Sequence, residues 1–202
     1  MKNKLMMLGY SSHAKVIADA AMAAGYEKVC FLSNLEVDDP LCLGKHSEFK
    51  KYIDEYDFFV SNPSPNVRAA RTQMLIEGGA DIVSVIHPSA VIGSNVKIGK
   101  GTFLAAGSIV IYGATIGDGV IINTAATVDH DCSVGAYSHV SVGAHLAGHV
   151  KIGKNCFIGA GSTVKNTISI IDGARVGAGA VVVKNIDLPG TYIGVPAKLM
   201  EK

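Results

Sequence analysis

The stretch VIGSNVKIGKGTFLAAGSIVIYGATIGDGV, residues 91–120, shows the pattern that decides the fold of the second half of this chain. An aliphatic residue returns every six positions, and this register runs unbroken from Ile86 to Val182. All 17 register positions hold Ile, Leu or Val, and chance agreement of this kind is on the order of one in a billion. A period of six fits neither an α-helix nor a flat strand.

A repeat of this period is typical of a left-handed parallel β-helix. Each hexapeptide forms one short strand and one tight turn, so three of them close a triangular coil of 18 residues. Aliphatic side chains stack inside the coil, and mostly small residues four positions further on fill the corners. No insertion interrupts the period, so a site must be built from the coil surface, the other domain or a neighbouring subunit. Flat, weakly charged sides favour a homotrimer.

The residues before Ile86 show a different sequence pattern, in which predicted strands and helices alternate. We predict strands over 4–9, 28–32, 56–60 and 81–86, and helices over 13–24 and 66–77. This alternation implies a small parallel, Rossmann-like sheet. The sequence therefore predicts an α/β domain over residues 1–84 and a β-helix domain over residues 85–202.

The composition excludes several classes of function. A net charge of +1 with 17% charged residues gives no electrostatic reason to expect nucleic-acid binding. The stretch at residues 101–117, which contains no charged residue, is too short and too rich in glycine for a membrane span, and no apolar leader follows the first lysines. The four cysteines form no CxxC pair. We therefore expect a reduced, cytoplasmic protein.

The clearest polar feature of the repeat region is Asp129-His130-Asp131. A carboxylate beside an imidazole stabilises the imidazolium ion and raises its basicity, which suits a general base that works near neutral pH. A solvated turn is the alternative interpretation, because Asp and His are both common in turns.

Three further histidines, His139, His145 and His149, follow within two coils. A zinc site like that of the γ-type carbonic anhydrases needs converging ligands, and residues on one face of the β-helix recur every 18 positions. No two of these histidines are 18 residues apart. We therefore predict no metal site within one chain, with convergence across a subunit interface left open, and we interpret His145 and His149 as surface corner residues.

The segment Gly9-Tyr-Ser-Ser-His13 follows the first predicted strand directly and opens a helix. Backbone N–H groups at a helix start bind phosphate well, so a pyrophosphate or a single nucleotide is a candidate ligand. The motif is not GxGxxG, and Ser33-Asn34 rather than an acidic residue follows the second strand. Both features argue against dinucleotide binding and hydride transfer. A helix cap without any ligand is the alternative.

The whole chain resembles the bacterial nucleotide-sugar acetyltransferases, which include UDP-4-amino-sugar N-acetyltransferases and sialic acid O-acetyltransferase-like proteins. The resemblance rests on the hexapeptides and on these segments: GYSSHAK at 9–15, IHPSA at 86–90, Asn123, HDCSVGAYSHVSVGAHLAGHVKIGK at 130–154, and GVPAK at 194–198. The segment 130–154 is the most specific, and it resembles the N-acetyltransferase branch closely.

This resemblance implies an acetyl-CoA-dependent enzyme without a metal, whose active sites lie at the subunit interfaces of a homotrimer. It implies that His130 is the general base and that Asp131, where family members often have Glu, raises its basicity. Asn123 is then expected near the same site, and His139 is expected to contact the acetyl group of acetyl-CoA. Small residues are expected to line the CoA channel: Gly148, Ala160 and Ala178.

The resemblance also implies that the first domain binds a nucleotide-sugar. The residues that match the phosphate-contacting turn are Gly9, Ser11, Ser12 and His13. The family often has Gly at the position of Ser12, and it has acidic residues that contact the base at the positions of Ser33 and Asn34. The loop that contains Pro63, Asn62-Pro-Ser-Pro-Asn66, replaces an Ile-Gly-Asn segment beside the expected sugar. Two prolines stiffen this loop.

Three hypotheses about function follow. The first is acetyl-CoA-dependent N-acetylation of a nucleotide-linked 4-amino sugar by direct attack. The second is O-acetylation of sialic acid or another hydroxyl acceptor, for which His130 would serve equally well. The third is a β-helix scaffold that binds a nucleotide or a partner without turnover. The polar set formed by Asn123, His130, Asp131 and His139 favours an enzyme, and the resemblance favours the first hypothesis.

Overall fold

The computed structural model describes residues 2–200. The chain forms two compact units, Met1–Pro88 and Ser89–Lys202. The predicted fold class is confirmed: a small parallel sheet with helices precedes a parallel β-helix built from hexapeptide repeats. No helix within residues 2–200 has the length and apolar character needed to cross a membrane.

The first unit is built around a three-stranded parallel sheet in the order β2-β1-β3. Its strands are β1 (Lys4–Leu8), β2 (Lys28–Leu32), β3 (Asp57–Val60) and a short β4 (Val85–Ile86). Its helices are α1 (Ser12–Ala23), α2 (Pro65–Glu77) and a 3₁₀ helix (His46–Tyr52). The three central strands are almost fully buried, as expected of a parallel sheet covered on both faces.

The starts of the two α-helices follow from local chemistry. The Ser11 hydroxyl accepts a hydrogen bond from the Ala14 N–H at 3.1 Å and caps α1. Pro65 stands at the first position of α2, where its missing N–H costs nothing. Both loops that lead into these helices therefore have a defined shape, and both contribute to the cavity described below.

The predicted strand over residues 81–86 is mostly wrong. Ile82 makes one isolated parallel bridge with Phe58, and regular strand structure returns only at Val85–Ile86. Ile82 and Val85 are both buried, so the apolar pattern reflects burial rather than continuous sheet pairing. The 3₁₀ helix was not predicted, because only Phe49 and His46 of its seven residues are buried and they leave no helical periodicity.

The second unit is a β-helix with three faces of parallel strands. One face contains β7 (Phe103–Leu104), β10 (Ile121–Ile122), β13 (His139–Val140), β16 (Phe157–Ile158), β19 (Arg175–Val176), β21 (Thr191–Ile193) and the antiparallel β22 (Lys198–Leu199). The next face contains β5 (Val91–Ile92), β8 (Ile109–Val110), β11 (Thr127–Val128), β14 (His145–Leu146), β17 (Thr163–Val164) and β20 (Val181–Val182). The third contains β6 (Lys97–Ile98), β9 (Thr115–Ile116), β12 (Ser133–Val134), β15 (Lys151–Ile152) and β18 (Ser169–Ile170).

The strand register confirms the 18-residue coil. Ile121 pairs with His139, and His139 pairs with Phe157 on the next coil. Every aliphatic register position from Leu104 to Val182 is at most 3% exposed, so these side chains form the continuous core that the period predicts. Ile92, in the first coil, is 41% exposed because its strand has a neighbour on one side only.

At the corners of the β-helix, one residue lies in the left-handed backbone region three positions after each aliphatic register residue from Ile92 to Val176. Glycine holds many of these positions, because it adopts a positive φ without steric cost. The other residues that have a positive φ at these corners are Asn95, Ala125, Asp131, Tyr137, His149, Asn155 and Thr167. Asp131 and His149 therefore occupy equivalent corner positions on successive coils.

Candidate functional site

His130 lies at a corner where successive coils stack directly. Two pairs of residues stack here, His130 on Gly148 and Asp131 on His149. We call these four residues the His130 corner. The His149 N–H donates to the His130 carbonyl at 3.0 Å, and the Asp131 N–H donates to the Tyr112 carbonyl at 3.0 Å. These ladder bonds hold the backbone on both sides of the imidazole, so the position of His130 is set by the β-helix itself.

The imidazole of His130 is paired with its neighbouring carboxylate. Nδ1 of His130 lies 3.0 Å from Oδ2 of Asp131, and the Asp129 carboxylate accepts from the His130 backbone N–H at 2.7 Å. The hydrogen bond to Asp131 raises the pKa of His130, partial desolvation opposes it, and the charges of Asp129 and Asp131 add to the increase. In the neutral ring, Nδ1 donates to Asp131 and Nε2 carries the free lone pair. An imidazole in this arrangement is able to accept a proton at Nε2.

Gly148 lies directly against this ring. A Cβ atom on Gly148 would be only 2.4 Å from Nε2 of His130, so glycine makes room for the imidazole. The sequence contains a signal for this role: among the residues two positions after each core aliphatic residue, Gly148 is the only glycine. The structure therefore gives Gly148 a contact with His130, besides the CoA contact that remains a prediction.

His149 is a neighbour of His130 that the sequence interpretation missed. Its ring lies edge-to-face against His130 with centroids 5.0 Å apart, and its Nε2 lies 4.0 Å from Oδ2 of Asp131. The spacing argument against a metal site compared only pairs of histidines, and it therefore overlooked the approach of His149 to His130 and Asp131. The pair that is 18 residues apart is Asp131 and His149. His149 and His145 are both exposed as predicted, but only His149 lies at a corner, because His145 belongs to strand β14.

Asn123 and His139 form a second polar pair. Nδ2 of Asn123 lies 3.1 Å from Nε2 of His139. Oδ1 of the same side chain accepts a hydrogen bond from the Thr124 N–H at 2.8 Å. The His139 ring is 8% exposed and packs edge-to-face on Phe157 at 5.2 Å. His139 is thus held rigidly in β13.

The residues predicted for catalysis and CoA binding lie at two different corners of one chain. At the corner just after Asn123, the Gly143 N–H donates to the Thr124 carbonyl, and two coils further on the Gly179 N–H donates to the Ala160 carbonyl. We call this edge, with Asn123, His139, Ala160 and Ala178, the Asn123 corner. Strands β11 and β14 lie between it and the His130 corner along the chain. Asn123 is therefore not beside His130 within one chain.

The first unit contains a cavity of about 260 Å³ at the ends of its strands. It is lined by Gly9, Tyr10, Ser11, Ser33, Asn34, Leu35, His46, Ser61, Asn62, Pro63 and Arg71. The lining of this cavity thus contains five of the predicted substrate-binding residues: Gly9, Ser11, Ser33, Asn34 and Pro63. Ser12 and His13 instead form the first turn of α1.

Internal hydrogen bonds shape this cavity. Ser33 Oγ accepts from the Leu35 N–H, and Asn34 Oδ1 accepts from the His46 N–H, both at 3.1 Å. The buried Arg68 guanidinium donates to the carbonyls of Asn62 and Pro63 at 2.9 and 3.0 Å. These two hydrogen bonds from Arg68 therefore hold the loop Asn62-Pro-Ser-Pro-Asn66 in place.

Arg71 on α2 is a cavity residue that the sequence interpretation missed. Burial lowers the pKa of its guanidinium, and within residues 2–200 it forms no ion pair with a carboxylate. Nη1 lies 3.9 Å from the position that a Cβ of Gly9 would take. Arg71 also lines an adjoining cavity of about 580 Å³ with Asn34 and His46. A partly buried cation without an anionic partner is a natural contact for an anionic ligand.

Family models match both units. The model described as the PglD N-terminal domain matches residues 4–75. The model for the hexapeptide repeat of succinyl-transferase matches residues 95–130 and 149–184, and that for the bacterial transferase hexapeptide (six repeats) matches residues 131–166.

Solved structures match almost the entire chain. The acetyltransferase domain of PglB from Neisseria gonorrhoeae FA1090 is 33% identical, with a TM-score of 0.93 over 98% of this chain and 100% of that one. The same domain in complex with acetyl coenzyme A is 34% identical, with a TM-score of 0.95 over 99% and 100%.

A perosamine N-acetyltransferase from Caulobacter crescentus, in complex with CoA and GDP-perosamine, is 31% identical, with a TM-score of 0.95 over 98% of this chain and 97% of that one. With the polar pairs on the β-helix and the cavity in the α/β unit, these matches show that the chain belongs to the hexapeptide-repeat family of bacterial nucleotide-sugar acetyltransferases.

Proposed function

We propose that this protein transfers the acetyl group of acetyl-CoA to the amino group of a nucleotide-linked 4-amino sugar, with His130 as the general base. Membership of the family makes the chain an acetyl-CoA-dependent sugar acetyltransferase. The observation that carries the assignment of the base is the 3.0 Å contact between His130 and Asp131, which raises the pKa of the imidazole and leaves Nε2 as the proton acceptor.

The reaction requires no covalent intermediate with the enzyme and no metal. The amine nitrogen attacks the thioester carbonyl while Nε2 of His130 removes its proton, and collapse of the tetrahedral intermediate releases the CoA thiolate, which takes up a proton. The work of the protein is to position the two reactants, accept one proton and stabilise the oxyanion. His139 at the Asn123 corner is our candidate for the oxyanion contact.

The separation of the two corners supports a homotrimer with active sites between subunits. His130, Asp131 and Gly148 lie on one edge of the β-helix, whereas Asn123, His139 and Ala160 lie on another. Packing of a second copy against the first brings the His130 corner of one subunit to the Asn123 corner of the next. Each site is then completed by the neighbouring chain.

The cavity in the first unit is our candidate for the nucleotide site. We propose that the diphosphate lies between Arg71 and the N-terminus of α1, where the cation and the backbone N–H groups both favour an anion. Ser33 and Asn34 then face the nucleobase of the nucleotide-sugar, and Pro63 faces its sugar. The four cysteines are free thiols, which fits the cytoplasm as the compartment of this reaction.

Arg71→Ala is expected to raise the KM for the nucleotide-sugar by about 10- to 100-fold, since charge-assisted hydrogen bonds contribute about 1.5–3 kcal/mol. The KM for acetyl-CoA is expected to stay the same, because Arg71 lies in the other unit from the predicted CoA residues. Steady-state kinetics with each substrate varied in turn measures both constants.

Gln73→Ala is the matched control, because Gln73 lies on the same helix and its amide bonds only to the exposed Glu77. Its KM values are expected to equal those of the wild-type protein. An Arg71→Ala protein with an unchanged KM for the nucleotide-sugar would remove Arg71 from the diphosphate site.

A panel of acceptors tests the proposed function itself. UDP-, GDP- and dTDP-linked 4-amino sugars are compared with their 4-hydroxy counterparts and with sialic acid, using acetyl-CoA as the donor and mass spectrometry of the product. We expect the mass of one acetyl group to be added to at least one amino sugar, and we expect the product to resist mild base as an amide does. Acetylation of hydroxyl acceptors alone would establish the O-acetyltransferase alternative instead.

A further inference from the structure

The His130 corner brings together three side chains that can ligate a metal. Asp131 and His149 are 18 residues apart and occupy the same left-handed corner position on successive coils, with φ angles of 55° and 60°. Their side chains therefore project from the same edge of the β-helix. His130 precedes Asp131 and contacts both.

The distances between donor atoms are short. Nδ1 of His130 lies 3.0 Å from Oδ2 of Asp131, and Nε2 of His149 lies 4.0 Å from the same oxygen. One donor atom from each residue lies within 4.8 Å of the other two. The three side chains are 45–57% exposed, so an ion in solvent can reach them.

Two imidazole nitrogens and one carboxylate oxygen form a donor set that suits Zn²⁺ and related first-row divalent ions. Two atoms that share an ion at about 2.1 Å lie at most about 4.2 Å apart. Since the donor atoms already lie within 4.8 Å of one another, no pair exceeds this limit by more than about 0.6 Å. Water completes the coordination, as in other zinc sites with three protein ligands.

We propose that His130, Asp131 and His149 form an inhibitory binding site for Zn²⁺ or a similar divalent transition-metal ion. The inhibition rests on the proposed role of His130, whereas the binding does not. The ion takes the place of the proton between Nδ1 of His130 and Asp131. The one proton of the neutral imidazole then resides on Nε2, so Nε2 has no lone pair with which to accept a proton from the amine. The metal is therefore an inhibitor of the base and not a cofactor.

Isothermal titration calorimetry with zinc chloride tests the binding, using the full-length protein without a polyhistidine tag after removal of metal by a chelator. We expect one ion per chain. His149→Asn is expected to weaken binding at least about tenfold, by analogy with the loss of metal-site contacts elsewhere. Asparagine tolerates the positive φ of this corner, so the turn is preserved.

The matched control is His145→Asn. His145 is an exposed histidine on the same coil, and its Nδ1 contacts Thr127 Oγ1 at 2.9 Å rather than the His130 corner. Its zinc affinity is expected to equal that of the wild type. Equal affinity of the His149→Asn protein and the wild-type protein would overturn the proposal.

A second measurement follows inhibition of acetyl transfer by zinc, with each protein compared with its own metal-free rate. We expect wild-type and His145→Asn proteins to be inhibited and to recover when EDTA is added, and we expect the His149→Asn protein to need at least about tenfold more zinc. Binding at this corner without inhibition would leave the metal site in place and contradict the assignment of His130 as the base. Inhibition that is equal in all three proteins would refute the site.

Discussion

Replacing His130 with alanine is expected to lower kcat by about 10²–10⁴-fold, the usual contribution of a positioned general base. The hydrogen bond to Asp131 at 3.0 Å raises the pKa of this imidazole, and alanine removes both the proton acceptor and this contact. The rate is measured as CoA release at saturating concentrations of acetyl-CoA and acceptor.

The control for this variant is His145→Ala, which removes an exposed imidazole from the neighbouring coil without changing the His130 corner. Its kcat is expected to match that of the wild type. Thermal unfolding of both variants shows whether the β-helix is intact, as expected for two exposed residues whose neighbouring core aliphatic residues remain in place. A folded His130→Ala protein with a wild-type kcat would exclude His130 as the base.

Gly148→Ala is expected to lower kcat by about 10²-fold, because displacement of a catalytic group by about 1 Å can cost that much. The added Cβ would lie 2.4 Å from Nε2 of His130, so the imidazole has to move away from its position. Gly148 does not have a positive φ, so alanine is compatible with its backbone. The variant is therefore expected to fold normally and to lose rate through the displaced base.

Ala136→Ser provides a control for added volume at the equivalent position of another hexapeptide, between β12 and β13, away from both the His130 corner and the Asn123 corner. We expect its kcat to stay close to that of the wild type. If Gly148→Ala retained full kcat, the close contact between Gly148 and His130 would have no catalytic consequence, and only a role of Gly148 in CoA binding would remain. A raised KM for acetyl-CoA with an unchanged kcat would indicate that second role.

The fold of the second unit was predictable from sequence because a single physical constraint repeats there. Each aliphatic residue from Leu104 to Val182 is needed to fill the coil interior, so the period is visible without any structure. The first unit was less predictable. Ile82 and Val85 are as apolar as strand residues, yet only one bridge and one two-residue strand form there, since burial alone does not specify sheet pairing.

The candidate site was predicted unevenly for a similar reason. Asp129-His130-Asp131 stands out because the groups are adjacent in sequence, whereas the neighbours of His130 depend on the stacking of coils. His149 and Gly148 become neighbours only when residues of different types are compared at a spacing of 18. The role of Arg71 could not be recognised from the sequence. A single arginine in an amphipathic helix is usually solvated, and only the structure shows the cavity beside it.

The measurement that tests the central claim most directly is the pH dependence of kcat/KM for the wild-type protein and for Asp131→Asn. The base must be neutral to accept a proton, so activity falls as the pH drops below the pKa of His130. Asp131 raises that pKa, and its loss is expected to move the acidic limb to lower pH, while ionisation of the acceptor contributes equally to both proteins. Acidic limbs that coincide in the two proteins would contradict the assignment of the His130–Asp131 pair as the catalytic base.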